Sequence, residues 1–428
     1  MSELEIKWPD EMAEQIRVAK GRIHVSGSAL RAMTLEERLG TIRLVLEDWT
    51  AADSPWRREL ATTFGSDSPF DVKTVREGLD AALRAWKPEA LIACARRELA
   101  PVLDSGTLAL APFAFTAVLA GGGLPMPTLL GGLLPLILGS PVLMREASGD
   151  RVTASLLKRS LDARSPEMAK AFEHCSFAKE DAAFAEMLDA PCVVATGSDE
   201  TIRSIAARLQ PHQRFVSYGH QFSIGVLGPE LAKDEPALRR ATTGYALDIA
   251  RWDQTGCLSP VILYLVGLDP TSHHKIAASL AEALEELHLS MPRGPLSVHV
   301  AASHANEIAE AKMRQARDRG QLFEGSDSVV VLETGSEARP APLHRFIRLM
   351  PVASIDALAE SLSPFAGRLS TAALNGFSEA QSQRLRTALA SMGVSRVTQP
   401  GRLQTPPIDW PHDGMPLLTP LARFTQSD

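Results

Sequence analysis

The sequence predicts an α/β protein built on doubly wound parallel sheets. Three observations carry this. Short, continuously apolar runs, which suit buried parallel strands, alternate with amphipathic stretches at helical spacing. The pattern renews itself after Gly228, as a second α/β unit would. Hydrophobic residues make up 45% of the 428 and charged residues 22%, a folding composition with length ample for two or three domains.

The first hundred residues read as helices. Apolar residues recur at helical spacing over 33–50, with Thr34 and Glu37 placed as a capping box, and again over 72–86 and 88–99. Between Asp104 and Arg145 no charged residue occurs, a gap long enough for a transmembrane helix. Pro112, the run Gly121-Gly122-Gly123, Pro125, Pro127, Gly131, Gly132, Pro135, Gly139 and Pro141 break it. We therefore expect no membrane span, but a strand over 107–115, a glycine-rich loop, a buried helix over 127–138 and a strand over 141–144. A helix over 150–161 follows, then a strand over 192–196, a turn, a helix over 201–209 and a strand over 214–218.

After Gly228 we expect helices over 237–250, 276–287, 304–317, 355–362 and 379–392. Strands are expected over 261–266, 296–300, 328–332 and 346–352. From Pro400 the chain is proline-rich and reads as a loop crossing another surface. The expected division is 1–228, 229–399 and a tail, 400–428.

Composition excludes several classes. A net charge of −7 argues against non-specific nucleic-acid or anionic-membrane binding. Cys94, Cys175, Cys192 and Cys257 form no C-x-x-C pair, so neither a disulfide framework nor a zinc ribbon is suggested, and scattered thiols suit the cytoplasm. The first residues lack the basic and apolar regions of a secretory signal. No G-x-G-x-x-G, Walker loop, H-E-x-x-H or G-x-S-x-G occurs. Adjacent His273 and His274 lack metal-ligand spacing, and we expect no metal.

Cys257 is framed differently from the other cysteines. It lies in Arg251-Trp252-Asp253-Gln254-Thr255-Gly256-Cys257-Leu258-Ser259-Pro260, between a helix and an apolar strand. A glycine before it lets the backbone bend closely, and a proline three residues later fixes the exit. Loop ends on a rigid sheet concentrate catalytic groups, and a thiolate is a good acyl acceptor. A buried small hydrophobe is the alternative for any lone cysteine. Cys175, beside His174, is the rival nucleophile.

The stretch 253–260 resembles the active-site signature of the acyl-CoA reductase family, typified by the fatty acid reductase of bacterial luminescence, within the aldehyde dehydrogenase superfamily. The resemblance extends over most of the chain. It includes 193–228, Pro342-Leu343-His344-Arg345-Phe346-Ile347, Trp410-Pro411-His412-Asp413-Gly414 and 417–424. It implies an aldehyde dehydrogenase-like fold, with a Rossmann-like cofactor domain beside an α/β catalytic domain. It implies Cys257 as nucleophile and NADPH as cofactor, reducing an acyl thioester to a fatty aldehyde. The donor would be acyl-CoA or an acyl-carrier or acyl-synthetase protein, and we expect a homo-oligomer.

The cofactor site implied is Thr196, Gly197, Ser198, Glu200 and Thr201, a strand-to-helix turn whose free N–H groups and helix dipole suit a pyrophosphate. Arg145 ends a strand where relatives place a cofactor-contacting lysine, and a guanidinium suits a 2′-phosphate. Ser217 falls where hydrolytic aldehyde dehydrogenases carry a water-activating glutamate, which fits a reductase. Gly123 falls where many relatives use an asparagine to hold the oxyanion. That departure keeps open an impaired acyl-binding or scaffold protein. A reductase of another activated acyl group, such as an acyl phosphate, is the other alternative.

Overall fold

The computed structural model describes residues 9–178, 182–335, 339 and 341–427. Five helices lead: α1 (Pro9–Ala32), α2 (Leu35–Thr50), α3 (Pro55–Asp67), α4 (Val72–Ala85) and α5 (Pro88–Ser105). The start of α2 is the expected capping box. The Thr34 hydroxyl accepts from the Glu37 N–H, and the Glu37 carboxylate accepts from the Thr34 N–H.

There follow β1 (Leu108–Leu110), β2 (Thr116–Leu119), α6 (Pro125–Ile137), β3 (Val142–Arg145), α7 (Thr153–Asp162), α8 (Pro166–Lys170) and β4 (Phe172–Cys175). Next come α9 (Ala183–Leu188), β5 (Cys192–Thr196), α10 (Asp199–Ala206) and β6 (Arg214–Tyr218). The five strands β4-β3-β2-β5-β6 form one parallel sheet in that order. Helices α2 to α7 pack one of its faces around Trp49, Trp86 and Phe172. Helices α1 and α9 cover the other, around Ile16, Ile23 and Val193. The uncharged stretch supplies β2, β3 and the largely buried α6. Among the described residues no helix is long and apolar enough to cross a membrane.

The strand expected over 107–115 is corrected. Pro112 cannot donate to a ladder, so the run splits. The buried parallel strand is β2, while β1 leaves the sheet to pair with the end of the chain.

The second half holds β7 (Phe222–Leu227), α11 (Glu235–Ala250), β8 (Pro260–Val266), α12 (Pro270–His288), α13 (Val298–Gln315), β9 (Gly320–Glu324) and β10 (Val329–Glu333). It continues with β11 (Phe346–Val352), α14 (Ile355–Leu362), β12 (Leu369–Asn375), α15 (Glu379–Ser391), β13 (Arg396–Thr398) and β14 (Phe424–Gln426). Here the order is β13-β12-β7-β8-β11-β10-β9, parallel except for β9. Because β7 pairs with β8 and β12, the sheets change at 219–221 rather than after Gly228. A strand over 296–300 is also corrected. Val298 and Val300 suit a strand by type, but the Ser297 hydroxyl accepts from the Val300 N–H and starts α13.

The tail ties both halves together. The Asp248 carboxylate accepts from the Gly401 and Leu403 N–H groups (2.7 and 3.0 Å). The Glu98 carboxylate accepts from the Leu417, Leu418 and Thr419 N–H groups (2.8, 2.8 and 2.9 Å). Finally β14 pairs antiparallel with β1.

Candidate active site

A cleft of about 970 Å³ lies between the two sheets. One wall is built from the segments that follow β2, β3, β5 and β6. The other comes from the segments that precede β7, β8, β11 and β12. In the first sheet the chain order reverses between β2 and β5, the switch point where α/β folds bind ligands beyond the carboxyl ends of strands. Cys257, Gly123, Thr196, Gly197 and Ser198 all line this cleft. Arg145, Glu200 and Thr201 do not line it.

The loop that presents Cys257 is strained and braced. After α11, Trp252, Asp253 and Gln254 are all left-handed (φ 55, 48 and 62°). Each such non-glycine residue costs about 1–2 kcal/mol. Several contacts offset this. Trp252 lies against Gly78, where a Cβ would come within 2.5 Å of the indole, and meets Phe70 edge-on at 5.7 Å. The Gln254 amide donates to the Pro260 carbonyl (2.9 Å). Asp253 Oδ1 accepts from both Nη2 and Nε of Arg345 (2.6 and 2.9 Å), and its Oδ2 accepts from the Gly294 N–H (3.0 Å).

Arg345 is itself fully buried and also donates to Asp327 (3.0 Å). It ends a second left-handed run, Leu343, His344 and Arg345 (φ 61, 52 and 67°). Leu343 lines the cleft. One buried ion pair thus joins the Cys257 loop to the neighbouring loop before β11 on the same wall of the cleft. Sequence reasoning missed this pair, whose only visible signals were an acid and a base in two separately quoted motifs.

Cys257 is exposed to the cleft, whereas Cys94 and Cys192 are buried and Cys175 is half-buried. The Ser223 hydroxyl donates to the Cys257 carbonyl (2.9 Å). Desolvation by the surrounding protein pushes the thiol up to about 11, and the charge of Asp413 adds to it. Backbone N–H groups of Cys257 and Leu258 act the other way. Cys175 ends β4, an edge strand of the first sheet, and its Sγ donates to the Met144 carbonyl (3.4 Å).

The glycine-rich wall depends on close backbone approach. A Cβ on Gly121 would lie 2.0 Å from the Thr196 carbonyl oxygen, and one on Gly149 would lie 2.9 Å from Gly123 Cα. These two positions, missed from the sequence, admit only glycine. At Gly123 itself a Cβ would meet nothing closer than 3.7 Å. The turn after β5 is capped by Ser198, whose hydroxyl accepts from the Thr201 N–H (3.2 Å). Arg145 ends β3, with Nε and Nη2 on the Phe177 carbonyl (3.1 and 2.8 Å). The tail reaches the end of β6, where His412 stacks on Tyr218 at 4.9 Å.

A family model, Acyl-CoA reductase (LuxC), matches residues 110–424. The chain belongs to this family. The match takes in both sheets, the Cys257 loop and the tail, and starts after the leading helices. Among curated relatives, the long-chain acyl-protein thioester reductase of Aliivibrio fischeri is 24% identical over 251 residues, covering 56% of this chain and 48% of that protein. The long-chain acyl-protein thioester reductase 2 of Photobacterium leiognathi is 23% identical over 312 residues, covering 72% and 62%. This LuxC-family chain is therefore matched to less than two thirds of either relative's length. An aldehyde dehydrogenase from Brucella melitensis biovar abortus 2308 superposes with a TM-score of 0.74 at 14% identity, covering 96% of this chain and 89% of that one. Aldehyde dehydrogenase 21 from Physcomitrella patens gives 0.72 at 16%, covering 96% and 90%. The LuxC-family chain has an aldehyde dehydrogenase-like fold.

Proposed function

We propose that this protein reduces a fatty-acyl thioester to an aldehyde through an acyl-enzyme on Cys257, with NADPH as the reductant. The observation that carries this reading is the sharing of one cleft by the exposed thiol and the β5–α10 turn. The turn fits a dinucleotide's phosphates. Gly121 and Gly197 keep side chains off the backbone there, and the N-terminus of α10 presents N–H groups. Thr196, Gly197 and Ser198 would hold the pyrophosphate, with Glu200 and Thr201 in the next turn and Arg145 at the 2′-phosphate. A bound nicotinamide supplies hydride.

Cys257 attacks the acyl carbon and releases the donor's thiol. Backbone N–H groups near Cys257 and in the loop holding Gly123 face the oxygen of the adduct. Ser217 at the end of β6 offers no carboxylate to activate water, so the acyl-enzyme persists. Phe70, Leu124, Pro127, Val261, Ile262 and Leu343 give the cleft an apolar lining suited to an alkyl chain. The names of the curated relatives favour an acylated protein as donor, with acyl-CoA as the alternative. Gly123 favours a second reading, an acyl-binding protein with impaired turnover, because glycine supplies no side-chain amide.

The test is intact-protein mass spectrometry with palmitoyl-CoA, followed by NADPH. One acyl adduct should form, disappear with release of aldehyde, and be absent in Cys257→Ala. An adduct that persists in that variant and maps to Cys175 would sink the assignment, and an adduct that never yields aldehyde would support the second reading. NADPH preference is tested separately. Charge-assisted contacts contribute about 1.5–3 kcal/mol, so Arg145→Ala should weaken NADPH binding roughly ten- to a hundredfold and leave NADH little changed. Equal losses would reduce Arg145 to a clamp on Phe177.

A further inference from the structure

Beside the cleft lies a smaller cavity of about 340 Å³. Its wall carries four arginines, Arg314, Arg317, Arg319 and Arg339, against two carboxylates, Glu310 and Glu333. In a chain of net charge −7 this is a local reversal of sign. The cavity adjoins the cleft, because Arg339 lines both. The connection from β10 to β11 runs from one to the other. Thr334 and Gly335 at its start line the cavity, and Ala341 and Leu343 near its end line the cleft.

The two carboxylates do not satisfy these arginines. Glu333 is buried and shared, accepting from Arg348 Nη1 (2.6 Å) as well as from Arg314 Nη2. Glu310 accepts from Arg339 Nη1 (2.8 Å). Arg317 and Arg319 are exposed and form no ion pair among the described residues. Arg314 Nη1 is buried without a partner in the protein, and a buried donor with no acceptor is costly. Basic residues at a helix C-terminus answer the helix dipole, which accounts for Arg314 and Arg317 at the end of α13. It does not account for Arg319, just ahead of β9, or for Arg339, which comes from another connection. What the four share is a recess of the size that small ligands occupy, lined by groups that suit phosphate.

We propose that this cavity holds the nucleotide phosphates of a fatty acyl-coenzyme A while its thioester lies in the cleft at Cys257. This rests on Cys257 being the acyl-bearing nucleophile. The span between the two places fits. Strands β8 and β10 flank β11, with Ile262 beside Arg348 and Val329 beside Phe346. At about 4.8 Å between strands and about 3.3 Å per residue, Glu333 at the far end of β10 lies roughly 20 Å from Cys257 ahead of β8. An extended phosphopantetheine arm, which separates the sulfur of coenzyme A from its phosphates, bridges a distance of that order. Of the two donors, the cavity favours acyl-CoA. A protein donor would need roughly 800 Å² of matching surface, which a recess does not offer.

The test compares the unaltered full-length protein with Arg317→Gln plus Arg319→Gln and with Arg317→Lys plus Arg319→Lys, all without cofactor. Binding of desulfo-coenzyme A, which has no thiol to react, is measured by calorimetry. Acylation of Cys257 is followed with palmitoyl-CoA and with palmitoyl-pantetheine, which carries no phosphate. The glutamine pair should weaken desulfo-coenzyme A about ten- to a hundredfold and slow acylation by dilute palmitoyl-CoA by a similar factor. The lysine pair, which keeps the charge, should lose less. Acylation by palmitoyl-pantetheine should stay as in the unaltered protein. Equal slowing with both thioesters, or unchanged binding of desulfo-coenzyme A, would overturn the proposal. So would desulfo-coenzyme A that competes with NADPH and ignores the arginines, since it would then sit at the β5–α10 turn. Slowing confined to a palmitoylated carrier protein would overturn it too, in favour of a protein-docking face. If desulfo-coenzyme A binds as expected but neither thioester acylates Cys257, the acyl-enzyme reading fails and the phosphate site stands. If both acylate Cys257 and the arginines have no effect, the site fails and the reading stands.

Discussion

Cys257 is set apart from the other thiols by access rather than by acidity. Burial pushes Cys94 and Cys175 up to about 12 and Cys192 up to about 11, and Cys257 stands at about 11 as well. Only Cys257 opens onto the cleft. Since the thiolate is the reacting form, raising pH must speed alkylation. Its rate should climb about tenfold per pH unit through the neutral range, to a plateau near the thiol's value of about 11. Iodoacetamide labelling read by peptide mass spectrometry checks this, and a plateau already reached below about pH 8 would contradict it. The placing of Cys257 on a loop before an apolar strand was legible in the sequence because its frame, Gly256 before and Pro260 after, is local. Gly149 was not, because the need for glycine there arises from Gly123, which lies far from it in sequence and close in space.

At the level of elements, the two left-handed runs at 252–254 and 343–345 hold each other in place through Asp253 and Arg345. Breaking a buried ion pair costs about 3–5 kcal/mol, and Arg345 keeps Asp327 when Asp253 is removed, so the loss should lie at the low end. Asp253→Ala should therefore lower the unfolding midpoint in urea, and Asp253→Asn, which keeps the shape and one acceptor oxygen, should lose less. Equal losses in the two variants would show that charge, not shape, is at stake. Long amphipathic helices and Val-rich strands were readable from periodicity, as in β5, β10 and β11. The strands β7 and β12 were not. Phe222-Ser223-Ile224-Gly225-Val226-Leu227 carries a glycine, and Leu369-Ser370-Thr371-Ala372-Ala373-Leu374-Asn375 is rich in small residues. Their strand character comes from burial between two layers of helices rather than from propensity.

Across the whole molecule, the division into two α/β units was visible as a renewed pattern, but the strand at which the sheets change was not. An apolar run does not reveal which sheet it joins. Nor does a proline-rich tail reveal where it docks. Glu98 decides that docking. Its carboxylate serves three backbone N–H groups and the Thr419 hydroxyl (3.1 Å); burial pushes the carboxyl up, but the backbone N–H bonds outweigh it and hold it below its ordinary range. Glu98→Ala should cost about 1.5–3 kcal/mol for the charge-assisted bonds. It should also speed hydrogen exchange at the Leu417, Leu418 and Thr419 amides while leaving α12 as protected as before. Uniform acceleration would mean that the tail does not open independently. Glu98 and Thr419 are 321 residues apart in the chain. During synthesis, the carboxylate and the edge of β1 emerge from the ribosome long before the segment that covers them. That later segment must find a berth that the folded body has already prepared. A chain cut short upstream of Leu417 would display a bare strand edge and an unanswered charge, the kind of surface by which chaperones and proteases recognise unfinished work.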